Sequence, residues 1–245
     1  MVMSKSSEAQ ARDESTWQVP ESLRLELLAV LTADPTKPAT MTYEEFLEWA
    51  DEDTLAEWVN GRVVMTSPAS ARHQHLAIFL STVLSTYASI HDLGTVLTGP
   101  FQMKLARSGR EPDVLFVTKE HLARLQPARL QGPADLVVEI VSDESVARDR
   151  GAKFEEYREG GVPEYWLLDP RLEQGEFYHL DDRGRYQLAP LDSDGIYRSR
   201  VVPGLWLRAE WLWRQPLPSP TRVLLEIDRE GYTRYFQEQL GLAQP

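Results

Sequence analysis

The sequence predicts a mixed α/β fold: a sheet of parallel and antiparallel strands flanked by helices, with a helical segment added at the N-terminus and strands and a helix at the C-terminus. Three observations point there. The apolar runs at 112–117, 135–141 and 165–168 lack sustained alternation, as strands covered on both faces do. Helical apolar spacing at 72–90 and a helical stretch at 145–159 flank them. The connections between the early strands are too short for crossover helices, so the sheet is not all-parallel.

Residues 1–20 are polar and aperiodic, the pattern of a frayed tail in which Trp17 is the one docking candidate. Glu21–Leu31 has helical spacing, and two prolines between Asp34 and Thr40 end it as a linker. The chain is therefore divided into an N-terminal segment 1–40, a working domain 41–215 and an extension 216–245 that packs on the domain. Thr42-Tyr43-Glu44-Glu45 is a capping box that opens a helix to about Ala50. Asn60-Gly61, between apolar arms, is a hairpin signal, because both central residues of a type I′ turn need positive φ. Leu76, Phe79, Leu80, Val83, Leu84, Tyr87 and Ile90 give the long helix its apolar stripe.

Strands follow at 95–97 and 101–105, and Ser108-Gly109-Arg110 reads as the turn into the strand at 112–117. A short helix at 119–125 precedes the strand 135–141. The helix 145–159 closes on Gly160-Gly161. After the strand at 165–168, segments 176–180 and 185–188 form a hairpin around Asp181-Asp182-Arg183-Gly184. The tail from Trp206 onward carries three tryptophans and a final amphipathic segment.

The 245 residues include 26 Lys+Arg against 38 Asp+Glu, a net charge of −12, with 42% apolar, 9% aromatic and 26% charged residues. These proportions exclude disorder throughout. No segment reaches the roughly 20 apolar residues of a membrane helix, and the N-terminal stretch lacks the apolar core of a signal peptide. A cytoplasmic protein without membrane contact is expected. With no cysteine, disulfides, thiolate zinc, iron–sulfur clusters and a cysteine nucleophile are excluded. The acidic balance argues against holding nucleic acid by a broad basic surface, but leaves room for a local groove.

Glu139 is a carboxylate in the middle of Leu136-Val137-Val138-Glu139-Ile140-Val141. Burying it unpaired costs several kcal/mol, so it requires a cation, a metal or a proton. Asp113 raises the same problem at the start of the neighbouring strand. Two acids on adjacent strands repel unless positive charge lies between them, and a divalent cation meets that need best. Hard oxygen donors favour magnesium or manganese over zinc. The alternative is an ion pair between Glu139 and a buried Arg or Lys, with Asp113 capping a turn.

Asp149, Lys153 and Tyr157 are spaced by four and share one helix face. Spacing alone describes a surface Asp149–Lys153 pair over a core Tyr157. If that helix packs beside Glu139, Lys153 instead reaches the two acids, where an ammonium orients water and stabilises charge on a phosphate. Glu57, before the Asn-Gly turn, reads locally as a solvated acid. His73 and His75 open the long helix, diverge and make a poor metal pair. His73 reads as solvated, with a contact to the site as the alternative. Phosphate loops, nucleophile elbows and zinc-helix motifs are absent.

Several ordered segments resemble the Uma-type restriction endonucleases of the PD-(D/E)XK nuclease superfamily. They are Glu57 to Pro68, His73-Gln74, Pro112-Asp113-Val114, Pro133 to Ser142, Asp149 with Lys153 and Tyr157, and Gly161 to Pro170, together spanning about 42–210. The resemblance implies a restriction-endonuclease-like core of helix, three strands, helix and strand. It makes Asp113 the aspartate of the Pro-Asp motif, Glu139 the acid of the (D/E)XK motif and Glu57 an additional upstream acid, all three as ligands of Mg²⁺ or Mn²⁺. Val141 stands where that motif carries lysine, and Lys153 from the next helix is the replacement. His73, Asp149 and Tyr157 are accessory candidates.

The implied activity is metal-dependent phosphodiester hydrolysis with DNA as partner, and a homodimer is compatible with it. Two alternatives stay open: a catalytically silent nucleic-acid-binding or regulatory module, and a metal-dependent hydrolase of a small phosphorylated substrate. Lys104, Arg107, Arg110, Arg124 and Arg129, clustered in sequence, form a basic groove only if they cluster in space.

Overall fold

The computed structural model describes residues 40–242, except 52, 53, 67, 143, 144 and 147. The expected tail, the helix 21–31 and the linker up to residue 39 lie outside the described residues. Helix α1 (Tyr43–Trp49) opens on the capping box: Glu45 N donates to Thr42 Oγ1 at 3.1 Å and Thr42 N to Glu45 Oε2 at 2.6 Å. Strands β1 (Ala56–Val59) and β2 (Arg62–Met65) form the hairpin, with Asn60 and Gly61 at φ +49° and +82° as the type I′ turn demands. Helix α2 (Ala71–Ile90) is capped by Ser70 and buries the expected apolar stripe up to Tyr87.

Strands β3 (Gly94–Thr98), β4 (Gln102–Lys104), β5 (Ser108–Arg110) and β6 (Val114–Thr118) follow. The triplet expected to turn is thus a strand. The chain reverses just before it, where Leu105 N donates to Ser108 O, and Gly109 packs so closely on Tyr43 that a Cβ there would lie 2.7 Å from its ring. A 3₁₀ segment, Lys119–Arg124, leads to β7 (Arg129–Gln131) and β8 (Leu136–Ile140). β7 has one apolar residue in three and so carries no periodic signal.

The helix expected over 145–159 is split. A π-helical segment, Arg148–Lys153, runs into α3 (Phe154–Gly160), which ends on Gly161 in the left-handed region at φ +82°. Then come β9 (Glu164–Asp169), β10 (Gln174–Leu180), β11 (Tyr186–Leu188), the hairpin β12 (Ile196–Arg198) and β13 (Trp206–Arg208), α4 (Pro220–Ile227) and α5 (Arg229–Gln239).

Mixed α/β architecture holds, but with two larger sheets where one was expected. The six-stranded sheet runs β11-β10-β9-β8-β6-β3, and the five-stranded sheet β2-β1-β5-β4-β7. In the larger sheet β8 and β9 are parallel, joined through α3, and the remaining pairs are antiparallel. Its two faces bury separate cores. Val114, Phe116, Leu136, Val138, Trp166 and Leu168 pack with α2 and with Val223 and Leu224 of α4. Leu115, Val137, Tyr165 and Leu167 pack with Tyr157 of α3 and with Met103 and Leu130 of the second sheet. Fully burying such side chains stabilises the fold by roughly 1.5–3 kcal/mol each. No helix among the described residues is long and apolar enough to cross a membrane.

Candidate active site

The register β6–β8 pairs Leu115 with Val137 and Val114 with Val138. One step further along these antiparallel strands Asp113 falls opposite Glu139, so both acids share the face that α3 covers. Asp113 Oδ2 accepts from Ile140 N at 2.6 Å, which ties the two strand ends together. Its Oδ1 accepts from His73 Nε2 at 2.9 Å. The solvated reading of His73 is therefore wrong, because the first turn of α2 lies against the start of β6, whereas His75 is exposed. Burial opposes charge on the imidazole, but the hydrogen bond and charge of Asp113 outweigh it and raise the His73 pKa.

Lys153 Nζ lies 2.9 Å from both oxygens of Glu139, 3.4 Å from Glu57 Oε1 and 3.7 Å from Asp149 Oδ1. Tyr157 donates its hydroxyl to Glu139 Oε1 at 2.5 Å. The surface-pair reading of Asp149 and Lys153 fails, since they are 1% and 4% exposed. β8 ends only a few residues before the π-helical segment, which holds that segment over the strand end. Val141, at the motif's usual lysine position, packs in the apolar core of the same face.

Glu57 is likewise not solvated. It is 1% exposed because β1 pairs with β5 inside the second sheet. Arg110 Nη1 donates to its Oε2 at 2.8 Å, and Glu111 N to its Oε1 at 3.1 Å. The same guanidinium grips Glu156 of α3 through Nε at 2.8 Å and Nη2 at 2.6 Å. A buried chain of alternating charge results: Glu156, Arg110, Glu57, Lys153, Glu139. Arg110 is thereby removed from the proposed basic groove. Arg107 pairs with Glu159, Arg124 donates to Pro133 O, and Lys104 and Arg129 cluster elsewhere, over the Tyr43 ring. The run forms no single groove.

Burial pushes the Glu139 carboxyl up, Lys153 pulls it down, and the negative charges of Asp149, Asp113 and Glu57 push it up again. Burial works to lower the Lys153 ammonium, yet the same carboxylates raise it well above its ordinary value. The two shifts conflict if Glu139 and Lys153 are taken as a simple pair, in which the acid would fall. They agree once the surplus is counted: the lysine stays charged, and the excess negative charge is relieved by a proton on an acid or by an added cation.

Residues 43–210 match the family model described as "Uma2: Putative restriction endonuclease". The chain belongs to the Uma2 family. The matched span contains Glu57, His73, Asp113, Glu139, Asp149, Lys153 and Tyr157. An uncharacterized protein of Synechocystis sp. (strain ATCC 27184 / PCC 6803 / Kazusa) is 26% identical over 162 residues, which are 63% of this chain and 83% of that protein. A crystal structure of a putative nuclease belonging to DUF820 from Anabaena variabilis superposes with a TM-score of 0.60, covering 71% of this chain and 97% of its own, at 14% identity. At that identity the likeness is one of fold. The family description supports a nuclease-like function.

In this Uma2 chain the acids open into a cavity of about 680 Å³ lined by Glu57, Glu111, Asp113, Glu139, Asp149 and Lys153. Glu111 was missed by sequence reasoning. Its signal was adjacency to Pro112-Asp113, and Gln102 Nε2 donates to its Oε1 at 3.3 Å. Arg148 and Arg72 line the same cavity and were also missed; the Nε of each is buried without a hydrogen-bond partner.

The donor set suits a hard divalent cation. Five carboxylates line the cavity with Lys153, Arg72 and Arg148, and Asp149 Oδ1 is buried without a hydrogen bond. Among the described residues no three Asp, Glu or His side chains are arranged around a common metal position, and the Lys153 ammonium stands among Glu139, Glu57 and Asp149.

Proposed function

We propose that this Uma2 protein is a metal-dependent endonuclease that hydrolyses phosphodiester bonds in DNA, with Mg²⁺ or Mn²⁺ as its ion. One observation carries the reading: Asp113 and Glu139 share a face at the strand ends, and Lys153 Nζ meets Glu139 at 2.9 Å from outside the usual motif position. Asp113 and Glu139 would hold the ion. When bound, it would lower the pKa of a water and stabilise charge on the phosphate. The chain's own residues do the rest. Lys153 keeps a positive charge in a water-poor site, where it orients the attacking water. His73 and the Ile140 amide fix the Asp113 carboxylate, and Tyr157 fixes Glu139.

The test is cleavage of supercoiled plasmid with Mg²⁺, with Mn²⁺ and with EDTA. Glu139→Gln and Asp113→Asn should each lose about 10²-fold or more. Undiminished cleavage in EDTA, or by both variants, rejects the reading.

Arg148 supplies a donor without a partner at the cavity wall. Losing a hydrogen bond from a charged group costs about 1.5–3 kcal/mol, so Arg148→Gln should raise KM roughly tenfold or more with kcat kept. A fall in kcat at unchanged KM would remove Arg148 from substrate binding.

At a net charge of −12 and without a continuous basic groove, DNA affinity rests on few contacts. With about two or three phosphates neutralised, binding should weaken about tenfold or more between about 50 and about 200 mM salt. Salt-insensitive duplex binding would contradict this.

A second reading, hydrolysis of a small phosphorylated substrate, is favoured by the burial of Arg110 and the dispersal of the basic run. Metal-dependent cleavage of bis(p-nitrophenyl) phosphate with plasmid left intact would select it.

A further inference from the structure

Resting on the metal-dependent reading above, we infer that the Lys153 ammonium is a resident counter-ion which a divalent cation displaces from Glu139, and that Glu57 is the acceptor receiving it rather than a ligand of the ion. The ammonium straddles Glu139, 2.9 Å from each oxygen, while Tyr157 donates to one of them as well. An incoming cation and this ammonium repel, and both cannot use the same two oxygens. The nearest alternative carboxylates are Glu57 Oε1 at 3.4 Å and Asp149 Oδ1 at 3.7 Å, so a small side-chain shift suffices.

These two acids are held differently. Glu57 is pinned on both oxygens, by Arg110 on Oε2 and by Glu111 N on Oε1, and Arg110 is anchored in turn on Glu156 of α3. It cannot swing to meet an ion without leaving the Arg110 guanidinium buried and half-paired. It is, however, a fixed anion within reach of Nζ. Asp149 Oδ1 is buried with no hydrogen bond and is free to take a ligand. Asp113 is bonded on both oxygens too, but by the His73 imidazole and the Ile140 amide, so a shift toward an ion there leaves no buried guanidinium half-paired. The ion therefore falls to Asp113, Glu139 and Asp149, and the lysine to Glu57. The apo chain folds with its acids neutralised by lysine, and ion affinity is set by competition with that lysine.

The test is Mn²⁺ binding, measured calorimetrically on EDTA-stripped full-length protein without nucleic acid, for the parent, Lys153→Met, Glu57→Gln and the double variant. Removing a competing charge should tighten Mn²⁺ binding by Lys153→Met about tenfold or more. Glu57→Gln, which deprives the lysine of its acceptor, should weaken binding about threefold or more in the parent background and leave it unchanged in the Lys153→Met background. If Lys153→Met binds no tighter than the parent, displacement is wrong. If Glu57→Gln weakens binding equally in both backgrounds, Glu57 is a ligand and its acceptor role is wrong.

Should Lys153→Met fail to fold, the parent answers alone. The chain has five lysines, so ¹⁵N-lysine labelling resolves their ammonium signals, that of Lys153 being the one lost in Lys153→Arg. Mg²⁺ saturation should shift it, and an unmoved signal at saturation overturns the proposal. Folded protein that binds neither ion in any form overturns the metal-dependent reading and the displacement together, whereas equal binding by all forms overturns the displacement alone.

Discussion

Lys153→Ala is expected to cut cleavage by about 10²-fold or more, the effect of losing a preorganised charge from a water-excluded site. The same substitution should destabilise the fold by about 3–5 kcal/mol, the scale of removing one partner from a buried ion pair. A surface Asp149–Lys153 pair, as spacing alone describes it, would contribute only a few tenths of a kcal/mol. Burial among Glu139, Glu57 and Asp149 raises the stakes. Lys153→Arg should restore part of the stability and little of the rate, since a guanidinium can pair with one carboxylate but is too broad for the compact ammonium's position among Glu139, Glu57 and Asp149. Urea unfolding and single-turnover cleavage separate the two effects. Cleavage at the parent rate by Lys153→Ala, beside an inactive Glu139→Ala, would require another cation for the site.

Arg110→Met should be about as damaging to stability, roughly 3–5 kcal/mol, because it strips Glu156 of its guanidinium partner and leaves the buried Glu57 with only Lys153, at 3.4 Å. Glu156→Gln is the milder change, for Glu156 is the more exposed end of the chain and Arg110 keeps Glu57. Cleavage by Arg110→Met should fall further than its folded fraction explains, because the Glu57 carboxylate beside Lys153 loses its anchor. Denaturant midpoints compared with activity per folded molecule decide this. Arg110→Met within about 1 kcal/mol of the parent would show that the buried chain carries no such weight.

The local elements were largely legible because their signals are local. The Thr42–Glu45 capping box, the positive-φ demand at Asn60-Gly61 and the stripe from Leu76 to Tyr87 each involve residues a few positions apart. The acids Asp113 and Glu139 were legible for a different reason: a carboxylate inside an apolar strand carries an energetic cost that composition alone reveals. Failures followed the opposite pattern. Ser108–Arg110 has turn composition, yet pairing with β1 and β4 makes it a strand.

Sequence by itself therefore determined the kinds and order of most elements and marked Asp113 and Glu139 as acids that require partners; for Glu139 the partner in the structure is the buried Lys153, the ion-pair alternative that the sequence left open. Tertiary structure alone decided the partners. It buried Glu57 against Arg110, 53 positions away, and set His73 on Asp113, 40 positions away. It also turned Lys153 inward onto Glu139. Periodicity reports which face of an element is apolar, but the charge state and role of a polar side chain depend on what packs opposite that face. That neighbour comes from a distant part of the chain, brought there by the closing of the sheets.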